Sequence, residues 1–442
     1  MMRAGRFTIV RLGLMSVIAV TVVTAMTSIA FAQPSTSAAQ TAQAGSEVTA
    51  ATREELLLAQ RRAKAQTAKP YEPSKIERYA VQFEDVLLPR LLLPRSGFYA
   101  RVGRVTTIRR ELGDLAQGSG FAVGPGYRIR NLFGRPRAVF TASVAGSLSR
   151  AWIAEARLRI PEDLKARTFG DFYVKRTGLP SEDFFGLGPD SSEADRVSYN
   201  FHQTTAGGIS GVRLHPLLAV GGGVEYLNPA IGHGKDDNHP SIEERFTEET
   251  APALTAQPDF VRLISFVGFN DRGPENNPRR GGRYRLIYNR YLSLDSSVFD
   301  FTRTEVDVQH YLPAFHERRV LALHGFASFA TTPPGGEVPF FLQRTIGGAG
   351  TLRGFREFRF RDRNVVLLQA EYRFEIFTAL DGALFYDAGQ VAPHSEDFTW
   401  KRLETDWGFG LRFGSNAGVF IRVDLGFGRE GPRPFLRFTH VF

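Results

Sequence analysis

The chain has 442 residues, with 44 glycines, 37 phenylalanines, 13 tyrosines and no cysteine, and carries a formal net charge of +9 at pH 7. This composition favours many strands over long helices, and the lack of cysteine excludes disulfides, thiolate metal centres, a cysteine nucleophile and a lipid-modified N-terminal cysteine. The arginines are scattered among acidic residues in strand-like segments, which suits a polar lumen or anionic lipid headgroups and gives no reason to expect a nucleic acid partner.

At the start of the chain, Arg3, Arg6 and Arg11 precede an apolar run from Leu12 to Val23 and a small-residue site at Ala30, Phe31 and Ala32. The pattern predicts a secretory signal peptide over residues 1–32, cut before Gln33. Its apolar core falls short of the roughly 20 residues that a membrane-spanning helix needs. No later stretch approaches that length, so the exported remainder is either soluble in the periplasm or a barrel, whose strands hide their hydrophobicity in alternation.

Residues 33–117 read as a linker with a pre-barrel segment. From Gln33 to about Ala51 there is almost no apolar bulk to offset the entropy of ordering. Thr52 then stands three residues before Glu55, Leu56 to Leu58 follow, and Arg61, Arg62 and Lys64 come near the end, with Pro70 beyond. That is a capping box opening a short helix, over about 53–67, with cations at its negative end. Residues 97–109 look strand-like.

From 118 to 442 the pattern becomes a series of strands with period-two alternation. The candidates are 118–130, 137–148, 150–160, 166–177, 194–205, 207–216, 218–228, 259–270, 282–295, 299–312, 318–331, 363–376, 380–390, 404–415, 417–428 and 433–442. These are sixteen, an even number, as single-chain bacterial barrels have. In the segment after Arg363, Val366, Leu368, Ala370, Tyr372, Phe374 and Ile376 share one face, and Gln369, Glu371, Arg373 and Glu375 share the other. A soluble antiparallel sheet alternates in the same way, so alternation alone does not separate the two cases. The connections do: if the chain ends on the periplasmic side, the long gaps at 229–258, 332–362 and 391–403 all fall outside, which is the asymmetry of an outer-membrane barrel. The expected fold is therefore all-β, a sixteen-stranded antiparallel transmembrane β-barrel over 118–442 in the bacterial outer membrane, behind a signal peptide and a short helical or disordered segment. The last strand ends on Phe438 and Phe442, an aromatic end of the kind that barrel-assembly machinery reads during biogenesis.

Between the eleventh and twelfth candidate strands lies GGAGTLRGF, residues Gly347 to Phe355, in a connection of about thirty residues. A structureless connection of that length is either disordered or functional. Gly347, Gly348, Gly350 and Gly354 allow tight turns, and a guanidinium among small residues reaches deep and binds carboxylates bidentately.

Here the sequence resembles the bacterial surface antigen family, the barrels of outer-membrane assembly factors and two-partner secretion transporters. The likeness runs from about 118 to 442 and rests on the loop motif, the five strands after it, the terminal Phe442 and FYDAG at Phe385 to Gly389. A further stretch, FFGLGPDSS at Phe184 to Ser192, also resembles one found in these barrels. In the family the sixth external loop folds back into the barrel and an aspartate of the strand motif, helped by a neighbouring acid, holds its arginine. The resemblance thus implies that Arg353, flanked by Gly354 and Phe355, pairs with Asp387, with Glu371 as second carboxylate. It departs in front of the barrel, where no periplasmic POTRA module, the part that receives client chains in relatives, is recognisable.

The expected function is insertion or translocation of polypeptides, with unfolded outer-membrane or secreted chains as clients and lipid and lipopolysaccharide around the wall; a passive pore or structural barrel is the alternative. An esterase is not expected: His310 falls on an apolar face and no GxSxG stands at a strand-to-helix turn. His233 and His239 lie near Asp236 and Asp237 in a polar connection, a spacing that without a rigid scaffold assigns no metal, and no cofactor is implied.

Overall fold

The computed structural model describes residues 96–105, 119–132, 137–161, 167–273, 277–315, 318–377, 380–415 and 418–437. The expected signal peptide, the helix at 53–67 and the aromatic pair Phe438 and Phe442 lie outside the described residues.

Alternating sequence becomes strand throughout. The first strands are β1 (Gly97–Val105), β2 (Ser119–Arg130), β3 (Val139–Ser147), β4 (Trp152–Ile160), β5 (Thr168–Phe184), β6 (Val197–His215), β7 (Leu218–His233) and β8 (Phe260–Asn270). They continue with β9 (Gly281–Ser293), β10 (Phe301–Ala314), β11 (Arg319–Thr331), the short β12 (Arg344–Ile346) and β13 (Phe360–Asp362), β14 (Asn364–Phe377), β15 (Leu380–Ala392), β16 (Glu404–Ser415), β17 (Gly418–Gly428) and β18 (Gly431–Arg437). Sixteen of them form one sheet in chain order, each antiparallel to its neighbours, while β12 and β13 pair only with each other inside the connection from β11 to β14. The fold is that of a sixteen-stranded antiparallel transmembrane β-barrel. Among the described residues the ladder runs unbroken from β1 to β18 and contains no pair between these two ends.

Two strand assignments differ from the sequence expectation. The segments 194–205 and 207–216 are one strand, β6, in which Ala206, Gly207 and Gly208 stay in the ladder opposite Val174, Tyr173 and Phe172 on one side and Tyr226, Glu225 and Val224 on the other. Glycine removes the side chain that marks a face but keeps its N–H and C=O, so the hydrogen-bonded ladder passes through a stretch that reads as a break. The second difference is at the front: Gly97–Val105 pairs with β2, so the sheet begins before residue 118. Together these keep sixteen strands, and the connection that the sequence alone would place at 178–193 on the opposite rim becomes 185–196, on the same rim as 234–259, 332–363 and 393–403.

Which face is apolar decides the environment. On β15 and β16 Leu384, Tyr386, Trp407 and Phe409 are each about half exposed, whereas Glu371, Asp387, Asp424 and Arg412 are at most 3% exposed. Ordinary water-soluble sheets have the opposite sign. Leaving a Leu or Phe side chain in water rather than an apolar phase costs roughly 1.5–3 kcal/mol. An outer wall of such residues is stable against acyl chains and not against water. At the loop-bearing rim Phe184, Tyr199, Phe201, Phe260, Phe301, Phe340 and Phe341 form an apolar cluster with Ile242, Ala251 and Leu254 of the 234–259 connection.

Candidate functional site: the arginine of the 332–363 connection

The connection from β11 to β14 is built as a hairpin and a turn. β12 and β13 pair Arg344 with Asp362 and Ile346 with Phe360. Past Ile346 the chain needs left-handed backbone at two successive residues, Gly347 (φ 117°) and Gly348 (φ 92°), which side-chain-bearing residues rarely adopt. The Gly348 N–H donates to the carbonyls of Leu352 (3.0 Å) and Phe355 (3.1 Å), and the Gly347 N–H to Thr351 Oγ1 (2.8 Å). These bonds close residues 347–355 into a compact turn, with Gly350 on its partly exposed side. Leu352 and Phe355 are fully buried against Phe326, Ile346, Phe360, Val365, Leu367 and Val391.

Arg353 is 0% exposed. Its Nε and Nη2 donate to Asp387 Oδ2 (2.7 Å) and Oδ1 (2.8 Å), and its Nη1 to Glu371 Oε2 (2.5 Å). The structure thus brings Arg353, Glu371 and Asp387 together, the bidentate face of the guanidinium going to Asp387. Period-two alternation explains the positions of the acids: Glu371 on β14 and Asp387 on β15 both take the inner face, with Gln369 directly across from Asp387. Gly354 provides clearance, since a Cβ there would stand 2.5 Å from the Asp406 Cβ and from the Gly428 nitrogen.

Other side chains complete the site without having been singled out from sequence. The Phe385 ring lies under the guanidinium, 3.5 Å from ring centre to the central carbon, a cation–π contact in a dry setting. Gln369 donates to the Thr351 carbonyl (2.7 Å) and to Asp387 Oδ1 (3.2 Å). Glu371 also accepts from Arg373 (2.8 Å) and Arg412 (2.8 Å), Arg412 donates on to Asp424 (2.6 Å), and Arg422 donates to the Ala349 carbonyl (2.6 Å). Their signal in the sequence is modest: each falls on the charge-bearing face of its strand, but nothing local says which partner it meets. Guanidinium groups donate only and ionised carboxylates accept only, so this array holds a segment in place. The desolvation of these charges is offset by their mutual attraction, so removing any one member leaves an uncompensated buried charge.

Elsewhere, His233 Nδ1, at the end of β7, lies 2.6 Å from Glu243, and in the 234–259 connection His239 Nδ1 lies 2.8 Å from Asp236. His310 sits on the outer side of β10, 2.6 Å from the Tyr284 hydroxyl. Among the described residues no three potential metal ligands gather.

The family model described as the Omp85 superfamily domain matches residues 165–434. Among solved structures, the chain is similar to the crystal structure of BamA from Haemophilus ducreyi lacking POTRA domains 1-3, at 15% identity over 78% of this chain and 70% of that one, with a TM-score of 0.55. No curated protein matches it. The family match spans more than half of the sequence, and the sheet, the inverted faces and the solved barrel agree with it: the chain belongs to the Omp85 superfamily.

Proposed function

We propose that this outer-membrane barrel inserts or translocates polypeptides, with its 332–363 connection acting as an external loop folded into the lumen and tied there by Arg353. The observation that carries the reading is the fully buried guanidinium of Arg353, shared between carboxylates of two adjacent wall strands. A lumen obstructed by a tied loop is a poor open pore, so a barrel built this way acts at its wall. In this reading the wall's seam lies where β1 and β18, the two ends of the ladder among the described residues, face each other. Backbone N–H and C=O groups at such an edge template an incoming strand. Unfolded outer-membrane or secreted chains are the clients in this reading, lipid and lipopolysaccharide surround the outer face, and the assembly machinery recognises Phe438 and Phe442 when this barrel is itself made.

The test is reconstitution of the full mature chain in vesicles of bacterial lipid, followed by addition of an unfolded barrel protein or an unfolded secreted chain. Faster client folding than in empty vesicles, or passage into the lumen, is the expected result. Vesicles that change neither rate, together with a steady conductance indifferent to unfolded chains, establish the passive pore instead.

A further inference from the structure

The segment Phe184–Glu193 contains the FFGLGPDSS stretch and takes no part in the arginine site. It makes a turn with left-handed backbone at Gly186 (φ 92°) and Gly188 (φ 90°). Its root is apolar: Phe184 packs against Phe246 and Phe340 at ring separations of 4.8 and 5.3 Å, and Phe185 lies under Arg359. Its tip is polar and touches segments far away in the ladder. The Gly188 N–H donates to the Arg361 carbonyl (2.9 Å). Arg359, 1% exposed, donates to the Ser191 carbonyl (2.7 Å), to Ser191 Oγ (3.0 Å) and to Glu430 Oε1 (2.7 Å). Glu193 Oε1 accepts from Arg356 (2.6 Å) and from Arg433 (2.8 Å). Two bridges therefore join the same three pieces: the turn after β5, the 332–363 loop, and the hairpin between β17 and β18. In the ladder β6 and β17 are separated by β7–β11 and β14–β16, so the wall does not bring these pieces together.

We propose that Phe184–Glu193 is a latch, which clasps the 332–363 loop and the β17–β18 hairpin into one closed lid across the loop-bearing rim, and whose release opens that rim. The division of labour follows from burial. The phenylalanines anchor the turn permanently, whereas Glu193, Arg356 and Arg433 keep side-chain exposures of 35%, 37% and 20%. Pairs with that much water access are individually weak and exchange readily. The Arg356 guanidinium, with Arg433 beside it, holds the Glu193 carboxyl below the ordinary glutamate range, so the clasp is charged at neutral pH. Because Glu430 and Arg433 head the last strand of the ladder, the latch couples the lid to one side of the seam.

Planar-bilayer recording of the full mature protein, without any client, tests this. Glu193→Ala combined with Ser191→Ala removes the two solvent-exposed Glu193 bridges and the Ser191 Oγ bond while the bond to the Ser191 carbonyl remains, and is expected to raise the frequency of opening events about tenfold. Folding of the variant is checked by heat-modifiable electrophoretic migration. In the opposite direction, Ser191→Cys with Glu430→Cys, joined by a short bis-methanethiosulfonate linker, uses a chain that has no cysteine of its own. Bridging should suppress openings in the wild-type background, and reductant should restore them. A folded double-alanine variant that opens no more often than wild type, or a bridged protein that opens as often as the unbridged one, overturns the latch. Either result leaves client insertion untouched, since no client is present.

Discussion

Arg353 has exchanged its hydration for two carboxylates and an aromatic ring. Replacing it with alanine leaves Glu371 with Arg373 and Arg412 but strips Asp387 of its bidentate partner. Removing one member of a buried ion pair costs about 3–5 kcal/mol. Arg353→Ala should therefore lower the urea midpoint of the heat-modifiable folded band substantially. Arg353→Lys, which restores charge without the planar fork, should fall between. Equal midpoints for all three proteins would mean that the loop contributes nothing to the fold. Arg353 and Asp387 stand in the glycine-rich motif and FYDAG, and Glu371 on the charged face of its strand, but their pairing was an implication of the family resemblance and not of the residues alone. Phe385 was not singled out, although it shares a face with Asp387: attention to alternating charge leaves an inward aromatic inconspicuous. Gln369 was placed on the right face, but its bond to the Thr351 carbonyl depends on how the loop lies.

At the scale of a strand, the same alternation that places Asp387 inward turns Leu384 and Tyr386 outward, at 53% and 52% exposure. An arginine on the lipid face of a barrel costs about 2–4 kcal/mol near the midplane of the bilayer. Leu384→Arg is accordingly expected to destabilise the protein in lipid by an amount in that range. Leu294→Arg, on the connection between β9 and β10 where the residue is 58% exposed, should change stability by no more than about 0.5 kcal/mol. Urea titration of both variants in vesicles measures the difference, and similar costs would argue that Leu384 does not meet acyl chains. Strand identity was the most readable level, because each strand carries its own period-two signature. The exception was the glycine-containing centre of β6, where the signature lapses over residues whose backbone still pairs; Gly97–Val105 looked strand-like, but nothing local placed it in the sheet.

For the molecule as a whole, the inverted faces demand a lipid surround. Trp407 projects from the outer side of β16 at 57% exposure, whereas Trp400 is 83% exposed on the 393–403 connection. Fluorescence of a variant retaining Trp407 alone should be quenched by lipids brominated on their acyl chains. A variant retaining Trp400 alone should be quenched much less, because interfacial and aqueous side chains lie away from the bromines. Equal quenching, or none, would remove the membrane assignment.

What the sequence determined by itself is whatever neighbouring residues impose on each other: most of the strands, their two faces and the arginine-bearing turn. Side chains alternate across a strand whatever lies beyond it, so that information is local. Only the tertiary structure decided that β6 is a single strand, that 185–196 shares a rim with the other long connections, and that Ser191 meets Arg359 and Glu193 meets Arg433. Those contacts join residues more than 160 positions apart, across a mouth that exists only once the strands have been assembled, and no pattern along the chain records them.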